Sequence, residues 1–227
     1  MTNQHQEWLD FAKSVALEAG DIMRKHFGKK PDSHLKANNT IVTVADEEIN
    51  DLVIERVTER YPAHDIDGEE ASQRRGSKYV WVCDPIDGTA SFAIGLPVSV
   101  FSLALVIDGQ PEVGVIYAPF SDHLYWASRG RGVYMNSQPI HVSQHSLDDR
   151  VEMNVDWWPS APWDVMQVVH DLAYEKDVYV TTRLAVQRTL RHWWRAASLL
   201  RRFLLVQKVR MLTLRRRKLS SRKLAVR

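Results

Sequence analysis

Two apolar runs separated by an Asp-Gly pair constrain this fold more than any other feature of the sequence. The runs occupy residues 99–107 and 112–118, and Asp108-Gly109 lies between them. Asp and Gly tolerate the positive φ angles that both central positions of a type I′ turn need, so we predict an antiparallel hairpin. Three more short runs of this kind occupy residues 79–83, 123–127 and 132–135. The sheet is therefore predicted to be at least partly antiparallel.

Helical spacing of apolar residues marks the region before the strands. The apolar residues of the first segment are Trp8, Phe11, Ala12, Val15, Ala19, Ile22 and Met23. Their spacing of three or four residues predicts an amphipathic helix that ends at Gly28. A second helix is predicted after an extended stretch, with Asp46 placed to cap it and Tyr61-Pro62 closing it.

Charge and glycine divide the chain into two unlike parts. Residues 1–177 hold all 28 acidic residues and 15 Lys and Arg, a net charge of −13. Residues 178–227 hold the other 15 basic residues and no acid, a net charge of +15, and all ten glycines precede residue 133. The overall charge of +2 describes neither part, so it does not by itself indicate a nucleic-acid-binding protein.

The remaining composition excludes several classes of protein. With 44% apolar and 26% charged residues the chain is typical of a globular protein. No apolar run reaches the roughly 18 residues of a membrane span, and the first residues do not resemble a signal peptide, so we expect a cytoplasmic protein. The single cysteine, Cys83, cannot form an internal disulfide or a cysteine-built zinc site.

Carboxylates concentrate in two short strings that suit a hard cation. The string WVCDPIDGT at residues 81–89 reads as a strand with Asp84 and Asp87 at its C-terminal end, a stiffening proline and a permissive glycine. The string DGEE at residues 67–70 is predicted to be a loop after the second helix. Each string alone is a common surface or capping motif. Together they predict an oxygen-rich site of the kind that Mg²⁺ prefers.

In this order, the two strings resemble those of the inositol monophosphatase family, Mg²⁺-dependent phosphomonoesterases with a GEE loop and a strand ending in W-x-x-D-P-x-D-G-T. The resemblance continues through Lys36, the TVAD of residues 43–46 and the GRGVYMNSQPIHVS of residues 130–143, and covers roughly the first 180 residues. It implies an α/β fold, a layered α+β sandwich of the αβαβα sugar-phosphatase type, with its N-terminal half intact and its C-terminal half incomplete.

The resemblance also implies roles for individual residues. The first metal site would be Glu69, Asp84 and the backbone carbonyl of Ile86, and Asp84 and Asp87 would hold a second ion. Glu70 would act in catalysis through a further, weaker ion and a water. The implied catalytic pair that orients the attacking water is Thr89 and Asp46, and the phosphate would rest on the metals and the backbone of Gly88 and Thr89.

A few positions depart from the family pattern. Ala71 stands where Ser usually follows the GEE loop, Ser91 replaces the more usual Asn, and Ile94 replaces a more usual polar residue. None of them is an implied ligand, so they bear on substrate choice. Trp163-Asp164 resembles the family's last metal-binding string but lacks its Ala-Ala-Gly continuation. Asp164 is predicted to be an ordinary residue near the N-terminus of a helix over residues 160–174.

The basic C-terminal segment does not carry the family's remaining elements. Read one base out of frame, the codons of residues 210–227 can spell DVDVAAAEAFVEEAGGA, and those from Leu184 can spell GCSANLAALVAGG, which are close to the missing metal-binding and helical elements. We therefore predict a frameshift near residue 184. The expected domains are a metal-binding α+β domain over residues 1–184 and a basic tail over residues 185–227.

The expected function is hydrolysis of inositol monophosphate or a similar small polyol phosphate, impaired if the C-terminal half is lost. A phosphatase for 3′-phosphoadenosine 5′-phosphate, fructose 1,6-bisphosphate or histidinol phosphate is the alternative within the enzyme class. A non-catalytic protein whose basic tail binds nucleic acid is the alternative outside it. The expected partners are the substrate, Mg²⁺ and, as in many family members, a second copy of the chain, with no membrane and no nucleic acid.

Overall fold

A mixed eight-stranded sheet with two long helices packed against it forms the centre of the fold. The computed structural model describes residues 3–29, 33–35, 41–142, 144, 146, 152–154, 165–175 and 178–181. The described helices are α1 (Asn3–His26), α2 (Val44–Arg60), α3 (Thr89–Ala93) and α4 (Val165–Glu175). None of these helices is long and apolar enough to span a bilayer.

The described strands occur in three sheets. The main sheet contains β3 (Asp65–Gly68), β4 (Ser72–Gln73), β5 (Tyr79–Asp87), β6 (Val100–Ile107), β7 (Gln110–Ala118), β8 (His123–Ser128), β9 (Val133–Met135) and β10 (Gln138–Ile140). The two-stranded sheets pair β1 (Ser33–Leu35) with β2 (Ile41–Thr43), and β11 (Glu152–Asn154) with β12 (Tyr179–Thr181).

The order of the main sheet is β10-β9-β8-β7-β6-β5-β3-β4. From β5 to β10 each strand pairs antiparallel with the next one in the chain, as the sequence predicts. The exception is β3, which pairs parallel with β5, so that Gly68 lies opposite Cys83. This one parallel pair places the ends of two non-consecutive strands side by side.

The hairpin between β6 and β7 confirms the turn predicted at its centre. Asp108 has a φ angle of 50° and Gly109 one of 73°, the positive values that the sequence requires at both positions. The backbone of Asp108 also donates a hydrogen bond to the carbonyl of Lys78, which ties the turn to the start of β5.

The core lies between the sheet and the apolar faces of α1 and α2. The fully buried residues of α1 include Leu9, Ala12, Val15, Ala16, Ala19 and Met23. Burial of each large side chain of this kind contributes about 1.5 to 3 kcal/mol relative to exposure. Along β5, Trp81 and Cys83 face this core, whereas Val82 and Asp84, which alternate with them, are half-buried. The helices therefore fix one face of the strand that carries the aspartates.

Two local predictions are wrong in detail. The second helix begins at Val44 rather than after Asp46, because Thr43 is its N-cap residue and Asp46 occupies the third helical position. The DGEE string is not wholly a loop, because Asp67 and Gly68 are the last residues of β3. A four-residue strand with Ile66 as its single apolar residue has too little apolar pattern to be recognised in the sequence.

The layered α/β class is confirmed. The predicted helix over residues 160–174 corresponds, in its described part, to α4. The strands β11 and β12 are parallel, as expected on either side of a crossover helix. The domain boundary at residue 184 and the basic tail lie outside the described residues, and both stay predictions.

Candidate active site

The parallel pairing of β3 and β5 brings the two acidic strings together. Gly68 is the last residue of β3 in the pairing and lies opposite Cys83. Glu69 and Asp84 are the next residues on the two strands, so they leave the same edge of the sheet as neighbours. Glu69 is exposed and Asp84 is half-buried. Two carboxylates predicted from separate strings thus lie beside each other.

The end of β5 is irregular where the second aspartate occurs. The pairing of β5 with β6 shifts between Asp84 and Asp87, which marks a bulge at this point of the strand. Asp87 is 2% exposed, and Gly88 follows it with a φ angle of 92°. This left-handed conformation turns the chain directly into α3, which begins at Thr89.

Asp46 connects the beginning of α2 to this turn. Its Oδ2 atom accepts hydrogen bonds from the Thr43 backbone nitrogen at 2.9 Å and from the Thr43 hydroxyl at 2.5 Å. Its Oδ1 atom lies 3.1 Å from the Thr89 hydroxyl, which also lies 3.0 Å from the carbonyl oxygen of Ile86. The pair that the resemblance implies, Thr89 and Asp46, is therefore in direct contact.

Burial changes the ionisation of Asp46. The side chain is 2% exposed, and its loss of hydration raises the pKa to about 6 against the opposing effect of the hydrogen bonds from Thr43 and Thr89. The negative charge of Glu70 raises this pKa further. Glu70, which follows Glu69 after β3, therefore lies close enough to the beginning of α2 to influence it.

The pKa of the Cys83 thiol is also affected by the negative charges at this site. Burial raises the pKa of Cys83 well above its usual value, and the charges of Asp84 and Glu69 raise it further. The thiol stays protonated at neutral pH and is a structural core residue. Its environment indicates that the Asp84 and Glu69 carboxylates both act on one point of β5.

Two supporting contacts were not predicted from the sequence. The hydroxyl of Ser99 donates a 3.0 Å hydrogen bond to the Gly88 carbonyl, which also accepts from the backbone of Phe92. Thr43 holds Asp46 from the other side. Ser99 lies eleven residues from Gly88 at the start of an apolar run, and no spacing rule connects them. The TVAD string contained the signal for Thr43, because Thr followed by Asp three residues later is the pattern of a capping box.

The donors present are of the kind that binds a hard cation. They are the carboxylates of Glu69, Asp84 and Asp87 and the carbonyl of Ile86, all oxygen atoms. In the part of the chain that the structure describes, no three His, Cys, Asp or Glu side chains are gathered closely enough to hold an ion by themselves. Mg²⁺ is commonly held by one or two carboxylates, with waters and substrate phosphate completing its coordination, so the donor set fits this ion in kind.

The other residues named from the sequence lie near the site or outside the residues that the structure describes. Ala71 follows the Glu69-Glu70 turn and is exposed, Ser91 is buried in α3, and Ile94 is 73% exposed just after α3. Lys36 and Asp164 lie outside the described residues, so their predicted places stay predictions.

Comparison with known proteins places this architecture in one class, the α/β proteins related to inositol monophosphatases. The Thermotoga maritima IMPase matches with a TM-score of 0.67 and 28% identity over 78% of this chain and 68% of that one. The structure of inositol monophosphate-bound SaIMPase-II matches with a TM-score of 0.59 and 25% identity over 76% of this chain and 63% of that one.

The sequence comparisons define the family. The profile of the inositol monophosphatase family matches residues 4–191, and the chain belongs to this family of phosphatases. A curated relative, the fructose-1,6-bisphosphatase/inositol-1-monophosphatase of Aquifex aeolicus, is 34% identical over 143 residues, which are 62% of this chain and 54% of the relative. The chain thus spans about half the length of the curated relatives that it matches.

Proposed function

We propose that this protein hydrolyses inositol monophosphate or a similar small polyol phosphate in a Mg²⁺-dependent reaction. The observation that carries the proposal is the parallel pairing of β3 with β5, which sets Glu69 beside Asp84 at one edge of the sheet. The contact of Thr89 with Asp46 at the same edge supports it. Membership of a phosphatase family agrees with this chemistry.

Under this proposal Glu69, Asp84 and the Ile86 carbonyl hold one Mg²⁺ ion, and Asp84 and Asp87 hold a second. Glu70 acts on a further, weaker ion through water. When bound, Mg²⁺ would supply charge stabilisation for the phosphate oxygens and lower the pKa of a coordinated water. Relative to β6, strand β5 has one extra residue between Asp84 and Asp87, so these two residues do not follow the regular alternation of the strand.

Thr89 and Asp46 orient and deprotonate the attacking water in this proposal. The Thr89 hydroxyl donates to Asp46 Oδ1, which leaves the hydroxyl oxygen able to accept a hydrogen bond from a water. As the water attacks phosphorus, its proton passes to Thr89 while the Thr89 proton passes to Asp46. A carboxylate with a pKa of about 6 suits this role, because a base is most effective when its pKa lies near the working pH.

The substrate phosphate is proposed to lie against the backbone of Gly88 and Thr89. The backbone of this turn leads directly into α3, and the positive φ angle of Gly88 turns the chain into that helix. The hydrogen bond from Ser99 holds the Gly88 carbonyl. This arrangement keeps the turn in place while an anion binds.

Fructose 1,6-bisphosphate is the second candidate substrate. The name of the Aquifex aeolicus relative includes both fructose-1,6-bisphosphatase and inositol-1-monophosphatase. Exposed Ile94 next to α3 gives this chain an apolar surface where many family members have a polar one.

The cytoplasmic location and the homodimer implied by the resemblance belong to the same proposal.

Release of inorganic phosphate from each candidate, with and without Mg²⁺, tests the function. We expect Mg²⁺-dependent release from inositol monophosphate or a related polyol phosphate. Asp84→Asn is expected to remove Mg²⁺ binding measured by calorimetry, because both ions depend on this carboxylate. Thr89→Ala is expected to keep Mg²⁺ binding but to lower kcat by about 10²- to 10⁴-fold, as the loss of a proton-transfer group does.

Absence of Mg²⁺-dependent release from every candidate substrate, in the chain as written and in a frame-corrected chain, would remove the enzyme assignment. Filter binding of RNA at two salt concentrations then tests the alternative of a nucleic-acid-binding tail. A binding constant that falls steeply with salt would support that alternative.

A further inference from the structure

We propose that Asn50 is a positioning residue that fixes the turn carrying Glu69 and Glu70, and so tunes the affinity of the metal site. This inference rests on the proposed function. Asn50 lies in α2 and is 2% exposed. Its Nδ2 atom donates a 3.2 Å hydrogen bond to the carbonyl of Ala71, the residue immediately after the two glutamates.

Gly68, immediately before the two glutamates, lies against the Asn50 side chain. A Cβ atom placed on Gly68 would overlap both Asn50 Oδ1 and the Ala71 carbonyl oxygen. The side-chain amide of Asn50 therefore lies flat against the backbone where β3 ends. Its orientation is determined by this environment, because the flipped amide would set its oxygen against the oxygen of Ala71. The turn is held at Gly68 and Ala71, immediately before and after Glu69-Glu70.

The position of Asn50 in the helix links this turn to the other half of the site. Asp46 and Asn50 are four residues apart in α2 and so lie on one face, one turn from each other. Asp46 contacts Thr89, at the end of β5, whereas Asn50 contacts the turn after β3. One helical face thus sets the distance between the proposed water-orienting pair and the proposed metal ligands. Burial of this side chain costs desolvation, which the hydrogen bond from Nδ2 offsets only in part, because Oδ1 is buried without a hydrogen-bond partner among the described residues.

A second hydrogen bond joins α2 to the hairpin formed by β3 and β4, and it provides the matched control. The hydroxyl of Thr58 lies 3.0 Å from Gln73 Oε1 in β4, at the end of the hairpin away from the glutamates. Each contact joins α2 to this hairpin through one side-chain hydrogen bond, so a purely structural role predicts a loss of stability for either change, larger for the buried Asn50 than for the half-buried Thr58. A positioning role predicts that only the loss of the Asn50 contact alters metal binding.

The test compares Asn50→Leu with Thr58→Val in the full chain. Each change keeps the branched shape of the side chain, with some increase in volume, and removes the donor. We expect Asn50→Leu to weaken Mg²⁺ binding, measured by calorimetry, by about 10-fold or more, the effect typical of residues that support metal ligands. Half-saturating Mg²⁺ for phosphate release should rise equally, with a smaller change in kcat. Hydrogen exchange at the amides of residues 69–72 should accelerate without metal. Thr58→Val should change each quantity less than twofold.

Equal effects of the two variants on Mg²⁺ binding and on exchange would overturn the proposal. Asn50→Ser, whose hydroxyl is too short to reach the Ala71 carbonyl, serves if Asn50→Leu does not fold, and the same outcomes apply to it. The exchange measurement separates this inference from the proposed function. If the unmodified chain releases no phosphate, the function fails, while faster exchange confined to residues 69–72 in Asn50→Leu still supports the contact.

Discussion

The side chain of Asp46 makes several interactions at once. Its carboxylate completes the N-terminus of α2 through Thr43, contacts Thr89 and lies near the negative charge of Glu70. A residue that served only as a helix cap would be better placed at the exposed surface, where its charge costs little. Burial of this carboxylate therefore lowers the stability of the folded protein and raises the pKa of Asp46 to a value close to neutrality.

The raised pKa of Asp46 predicts a definite pH dependence of stability in metal-free protein. The folded-state pKa of about 6 lies above the usual value of 3.8, so the folded state holds more protons than the unfolded state between these pH values. The free energy of unfolding should therefore fall as the pH rises from about 4 to 6, by roughly 3 kcal/mol from this group. Asp46→Asn, which stays neutral, should remove that part of the decline.

Urea unfolding between pH 4 and 7.5 in the presence of a chelator measures this effect. The informative quantity is the difference between the unmodified protein and Asp46→Asn at each pH, because other carboxylates and histidines titrate in the same range. A difference that stays constant across the range would contradict the raised pKa.

For individual residues, the sequence indicated the candidate site residues, whose roles stay predictions, but not the residues that support them. Asp84, Asp87, Glu69 and Thr89 stand in strings whose order identifies the family. Asn50 and Ser99 act through contacts between segments that lie 21 and 11 residues apart, and each has an ordinary place in its own segment. No local pattern distinguishes a buried Asn that faces a turn from one that caps or faces solvent.

Strand β3 is the element on which the arrangement of the site depends. It is four residues long, and its pairing with β5 is the one parallel pair in the main sheet. The hairpins from β5 onward were predictable because turn residues and apolar runs mark them locally. A short parallel strand has no such mark, since its partner is determined by the connection between the two strands and by packing.

The turn from β5 into α3 offers a test of close packing at the site. Gly88 and Gly95 both have positive φ angles, 92° and 77°. A Cβ atom at Gly88 would lie 3.2 Å from the Ser99 hydroxyl, whereas one at Gly95 would meet nothing within 4 Å. Gly95→Ala should therefore cost only the backbone strain, about 1 to 2 kcal/mol. Gly88→Ala should cost more, because Ser99 must also move.

Chemical denaturation of the two variants measures both costs. An equal loss for Gly88→Ala and Gly95→Ala would show that Ser99 yields without cost and does not hold the turn. In the same samples Mg²⁺ binding should weaken for Gly88→Ala alone, since Asp87 immediately precedes this glycine.

For the whole molecule, the layered α/β class followed from the change of periodicity along the chain, helical before residue 61 and strand-like from residue 79. The mixed order of the strands in the main sheet did not follow from the sequence, because strand order depends on contacts between distant segments. The predicted division at residue 184 rests on composition and on the out-of-frame spelling alone.

The nucleotide sequence around codons 180–228 tests the frameshift. We expect one missing or extra base, because the shifted frame spells both of the family elements that the basic segment lacks. Restoring the frame should bring back a further metal-binding carboxylate and increase Mg²⁺-dependent phosphate release. A nucleotide sequence that continues in the written frame in independently sequenced copies of the gene would contradict this prediction.

The packing of α1 also has a consequence for synthesis on the ribosome. This first helix is completed by strands made much later: His5 bonds Glu112, Arg24 bonds Tyr117, and Lys13 lies over the Trp126 ring. At about 5 to 20 residues per second, roughly 100 residues of further translation leave the part of its surface that β7 and β8 cover exposed for about 5 to 20 s. During that time the nascent chain presents an amphipathic helix that chaperones can bind, and release of the helix must wait for β7 and β8 to emerge.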